Sequence, residues 1–92
     1  MSTLHILNRL CEGRAPAALA RCASAGDALL LCGDAVYAVF DYSSLPPLPV
    51  AALMADVVAR GLSSCWPTTT SLLDYGDFVD LCAQHDKSLS WG

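Results

Sequence analysis

Charge is scarce in this chain: charged residues fill 15% of its 92 positions, against about a quarter in ordinary soluble domains. Basic charge is scarcer still, with five Lys and Arg against nine Asp and Glu. A net charge of −4 supplies no electrostatic footprint for a phosphate backbone, so no direct nucleic-acid binding is expected. No apolar run approaches the roughly 18 to 20 residues of a membrane span, and Met1 to Arg9 lacks a signal-peptide core. A cytoplasmic protein with no membrane attachment is therefore expected. Nucleophile elbow, phosphate loop and glycine-rich dinucleotide motif are all missing, which leaves hydrolase and nucleotide-enzyme readings without residues and implies no cofactor. Five cysteines are present, at Cys11, Cys22, Cys32, Cys65 and Cys82, but no two of them stand at metal-ligand or redox-pair spacing. An odd count without C-x-x-C argues for free thiols in a reducing compartment, and each must then be weighed as core filler or as sulfur chemistry.

What the chain does have is apolar residues, 54% of the total, in a length that allows one domain with one modest core. Part of that apolar surface is expected to be covered by partners. Thr3 to Asn8 reads as a strand buried on both faces, followed by a helix opened by Pro16 with Leu19, Cys22 and Ala23 at helical intervals. Ala28 to Cys32 is a second buried strand. For Ala35 to Phe40 a hairpin through Gly33-Asp34 competes with a short helix capped by Asp34, and the helix is preferred because parallel strands need crossovers. Ser43 to Pro49 is loop, Val50 to Leu53 a third strand, and Asp56 to Arg60 a short helix stopped by Gly61. Ser63 to Thr70 is irregular. Leu72-Leu73 forms a fourth strand, Asp74 caps a helix over Tyr75 to Gln84, and Leu89 to Trp91 adds a terminal strand. On that last helix Tyr75, Phe78, Val79 and Cys82 share the apolar face. The alternation predicts an α/β fold: a small open, mostly parallel sheet with helices on both faces, as one domain over residues 1–92.

Two cysteines fall on buried patterns, Cys32 closing a strand and Cys82 centred on a helix face, and are expected to be unreactive filler. Cys11 lies in the loop after the first strand, between Arg9 and Arg14, at the carboxyl edge where open α/β sheets place their sites. Cys22 neighbours Arg21 but lies toward the C-terminal half of its helix, where the dipole disfavours a thiolate. These two are the candidate reactive thiols. Cys65 and Trp66 stand in a loop with no periodicity to hide an apolar ring, so they pack locally or meet another subunit, and Trp91 joins them as an interface candidate. His5 reads as a hydrogen-bonded core residue, His85 as a favourable charge at a helix C-terminus, and no metal site follows.

Leu4-His5-Ile6-Leu7-Asn8-Arg9, Gly26-Asp27-Ala28-Leu29-Leu30-Leu31, Asp34-Ala35-Val36-Tyr37-Ala38, Ala59-Arg60-Gly61-Leu62 and Leu73-Asp74-Tyr75-Gly76-Asp77-Phe78-Val79 keep order and spacing up to Trp91. Together they resemble the TusB/DsrH family of small sulfur-relay subunits. The resemblance implies a flavodoxin-like fold and a place in a hetero-hexamer with TusC-like and TusD-like homologous subunits, which relays persulfide sulfur between carrier proteins toward 2-thiolation of tRNA wobble uridine. It also implies that the main sulfur-accepting cysteine belongs to the TusD-like subunit, leaving this chain structural rather than catalytic. Relatives from sulfur oxidisers carry a cysteine in the first helix, at the position of Leu19 here, one turn from Cys22. The alternative is thus an active persulfide carrier that uses Cys22 or Cys11.

Overall fold

The computed structural model describes residues 2–10, 16–40 and 45–91. Five strands, β1 (Thr3–Leu7), β2 (Ala28–Leu31), β3 (Val50–Leu53), β4 (Ser71–Leu73) and β5 (Lys87–Trp91), form one sheet in the order β4-β3-β2-β1-β5. Every pairing is parallel, with Leu7 beside Leu31 on one side and beside Trp91 on the other. Parallel strands need crossovers, and the chain supplies α1 (Ala17–Cys22), a 3₁₀ helix (Gly33–Phe40), α2 (Met54–Ala59) and α3 (Tyr75–Ala83).

The handedness of these connections distributes the helices. Steps from β1 through β4 run in one direction and the return from β4 to β5 in the other, so right-handed crossovers place α1, the 3₁₀ helix and α2 on one face and α3 on the opposite one. Packing agrees. Leu7, Leu29, Leu31 and Ala52 cluster with Leu19, Val36, Val39 and Val57, while Leu4, Leu30 and Leu53 cluster with Phe78, Leu81 and Cys82.

Local chemistry explains the element ends. Asp74 accepts from the Asp77 amide at 2.7 Å and Asp77 returns the bond to the Asp74 amide at 3.4 Å, the reciprocal capping box that starts α3. Gly61, at φ +67°, closes α2, with its amide bonded to the Val58 carbonyl and that of Leu62 to Val57. Gly33 is needed for a different reason. At φ +55° a Cβ there would lie 2.9 Å from the Asn8 carbonyl oxygen, so the turn out of β2 passes too close to the end of β1 for any side chain.

Three expectations shift in detail. The segment after β2 is helical but 3₁₀ and begins at Gly33, with Asp34 inside the first turn; α2 begins at Met54 rather than Asp56. On α3 the sheet-facing residues are Phe78, Leu81 and Cys82, whereas Tyr75 and Val79 are 62% and 64% exposed. No residue of α3 is fully buried.

Candidate functional site

The thiols occupy four different surroundings, and Cys11 lies outside the described residues. Cys32 follows β2, half-buried, with its Sγ donating to the Leu7 carbonyl at 3.7 Å. Burial pushes this thiol up from its ordinary value and the nearby Asp56 carboxylate adds to the rise, against a smaller opposing effect of Arg60. A thiol held in its protonated form is a poor nucleophile. Cys82 packs part-buried against the α3 face of the sheet. Cys65 is exposed in a 3₁₀ turn (Ser63–Cys65), with its Sγ 3.4 Å from the Leu62 carbonyl it donates to. Cys22 is exposed as the last residue of α1, at the negative end of that helix's dipole.

Charge at the carboxyl edge of the sheet is consumed by structure. Asp56 accepts the Gly33 amide at 2.9 Å, and Arg60 donates through Nε and Nη2 to Asp34 Oδ1 at 3.1 and 3.0 Å and through Nη1 to the Asp56 carbonyl. These bonds lock the 3₁₀ helix to α2. Among the described residues no group of three or more His, Cys, Asp or Glu is assembled to hold a metal ion.

A polar triad, buried at His5 and Asp27 and half-buried at Trp91, ties β1 to β5 and to the turn before β2. Trp91 Nε1, which can only donate, is 3.1 Å from His5 Nδ1, so that nitrogen accepts and the imidazole proton resides on Nε2. His5 Nε2 then donates to Asp27 Oδ2 at 2.9 Å, and the same carboxylate accepts the Thr3 and Ser24 amides at 2.9 and 3.0 Å. The His5 bond foremost, with the two amides, holds the Asp27 carboxyl down at about 2 despite its burial. His5 is thus the bonded core residue its strand position implies. Trp66 is also anchored inward, with Nε1 donating to the Thr70 carbonyl at 3.1 Å and its ring set edge-on to Phe40. His85 lies 2.9 Å from the Leu81 carbonyl at the end of α3.

The sheet also leaves one crevice open. Adjacent strands β3 and β4 are followed by helices on opposite faces of the sheet, which parts the chain at the carboxyl ends of the two strands. There a cavity of about 460 Å³ opens between Leu53, Met54 and Val58 on one side and Leu73, Asp74 and Tyr75 on the other. Its lining is almost wholly apolar.

A model of the DsrH-like protein family matches residues 12–88. The chain belongs to the DsrH-like family. Its relatives include Protein TusB of Escherichia coli strain K12, 40% identical over 94 aligned residues that cover 96% of this chain and 99% of that protein. Protein TusB of Escherichia fergusonii is 40% identical over the same span, and that of Escherichia coli O81 39%. The triad draws His5 and Asp27 from the first and second of the resembling stretches and Trp91 from the end of the described chain. Sequence reasoning named His5, Asp27 and Trp91 in separate fragments and missed their convergence, since only the β1–β5 pairing brings Trp91 to His5. The same reasoning missed the crevice, whose only sequence signal is the pair of apolar residues four apart at the start of α2 and again at the start of α3.

Proposed function

We propose that this chain is a subunit of a TusBCD-type sulfur-relay complex that passes persulfide sulfur toward 2-thiolation of tRNA wobble uridine, and that it shapes the relay without being its main carrier. It works in the cytoplasm beside TusC-like and TusD-like subunits in a hetero-hexamer; none of the described helices is long and apolar enough to cross a membrane. Within the complex exposed Cys65 contributes to subunit contacts together with the outward sides of half-buried Trp66 and Trp91, whose ring N–H groups are bonded within the chain.

The observation that carries the non-carrier part is the setting of the described thiols. Persulfide transfer begins with attack by a thiolate, and a helix N-terminus or an unpaired cation is what lowers a thiol pKa enough to provide one. Cys32 is shifted the other way, and Arg60, whose charge opposes that shift, is committed to Asp34 and Asp56; Cys22, the last residue of α1, has no helix N-terminus beside it. Exposure of Cys22 favours a second reading, a carrier of the sulfur-oxidation type that uses Cys22 or Cys11. Intact-mass analysis of the reconstituted complex after a persulfide donor separates the two, each transferred sulfur adding about 32 Da to its thiolate. The gain is expected on the TusD-like subunit, with this chain unmodified and turnover unchanged by Cys22→Ser. A gain on this chain that Cys22→Ser or Cys11→Ser abolishes would install the carrier instead.

A further inference from the structure

The crevice between β3 and β4 has a matched pair of walls. Leu53 and Leu73 are register partners, and each is followed by a helix that opens with an exposed apolar pair four residues apart: Met54 and Val58 on α2, Tyr75 and Val79 on α3. Residues four apart share one side of a helix, so each pair forms a stripe; Met54, Val58 and Tyr75 line the gap, and Val79 continues the α3 stripe beyond it. Exposures of 43% and 56% for Met54 and Val58, and above 60% for Tyr75 and Val79, leave an apolar cleft uncovered within the chain.

Charge decides what fills it. α3 carries Asp77 and Asp80 behind its Asp74 cap and has no basic residue in its last turn, while Arg60 at the end of α2 is engaged by Asp34 and Asp56. A second copy docked through the same cleft about a two-fold axis would face acidic helix to acidic helix, in a chain already at −4. We propose that the cleft receives an apolar side chain of a different protein, presented beside Arg or Lys residues that meet Asp74, which lines the cleft, and Asp80 further along α3. This rests on the chain being a relay-complex subunit and specifies where and by what chemistry its partner is held.

The test co-expresses the chain with its two sister subunits, isolates the assembly through a tag on a sister, and follows recovery at low and high salt. Val58→Asp and Tyr75→Asp place an acid at the centre of the cleft and should each lower recovery by about tenfold or more, as loss of a central anchor does. Val58→Leu should retain it. Asp80→Lys should lower recovery at low salt and flatten its salt dependence. Because Val58 and Tyr75 are exposed, thermal unfolding of the isolated variants should match the parent; Tyr75→Ser replaces any that does not. Full recovery of folded Val58→Asp and Tyr75→Asp overturns the cleft and leaves the relay reading standing. Failure of the sisters to retain the parent chain overturns that reading and the cleft with it. A homodimer of the isolated parent that Val58→Asp dissociates overturns the proposal in favour of a second copy.

Discussion

Among the described residues, on one face of the sheet α1, the 3₁₀ helix and α2 enclose ten buried apolar residues; on the other α3 alone rests on Leu4, Ala28, Leu30 and Leu53 and fully buries none of its own residues. Each helix on the first face contributes at least one fully buried anchor, Leu19, Val36 and Val57 among them. The second face depends on half-covered Phe78, Leu81 and Cys82 and on the caps at the start of α3. A chain with a single core would be expected to finish both faces equally. Its thin side is the side that carries Tyr75 and Val79, so the apolar cleft takes one wall, Tyr75, from the unfinished face and the other, Met54 and Val58, from the finished one.

The sharpest way to break this contrast is paired truncation. Leu31→Ala, on the enclosed face, should cost about 3 kcal/mol in urea unfolding, and Leu81→Ala, on the thin face, no more than about half of that. Equal losses would show that α3 packs as tightly as its counterparts. Next comes Asp27, bound into the enclosed face. Its folded carboxyl is held at about 2, below the ordinary carboxylate value, so its stabilisation is present above pH ~4 and disappears as pH falls toward 2. Asp27→Asn keeps one acceptor oxygen for three donors and should cost about 2 kcal/mol at neutral pH and remove that acid-sensitive limb. An unchanged acid limb would mean that other carboxylates carry it. The smallest effect belongs to the thin face. Asp74→Ala removes the cap and should cost about 1 kcal/mol, with amide exchange accelerated in α3 and unaltered in β1 and β2. Uniform acceleration would erase the distinction between the faces.

Much of the architecture was legible because local and tertiary demands coincide. Ala28 to Leu31 is apolar on both sides and sits between two parallel neighbours; Asp74 and Gly61 cap what their residue types favour. Legibility failed where one residue serves two demands. Asp34 suits a helix cap, yet Arg60 claims its carboxylate from another element, and the tight passage of Gly33 over Asn8 fixes where the helix begins. The apolar arc of α3 includes Tyr75 and Val79 on any helical wheel, but a lone helix on a narrow strip of sheet cannot cover an arc that wide. For the site, the packing of Cys32 and Cys82 against the sheet was legible from strand and helix position, although both are half-buried rather than enclosed. The inward anchoring of Trp66 on Thr70 and Phe40 was not, since a loop has no periodicity to reveal it.

The place of β5 beside β1 also sets a clock. Asp27 follows His5 by 22 positions, but Trp91 follows it by 86, so at synthesis rates of about 5 to 20 residues per second the imidazole waits roughly 4 to 17 seconds for its second partner. From the pairing of β1 with β2 until β5 arrives, the outer side of β1 is a bare sheet edge, open to any extended segment that reaches it. Translation speed over the stretch from β2 to β5 therefore governs how long the newborn chain is exposed to mispairing, a quantity that synonymous codon choice alters without changing one amino acid.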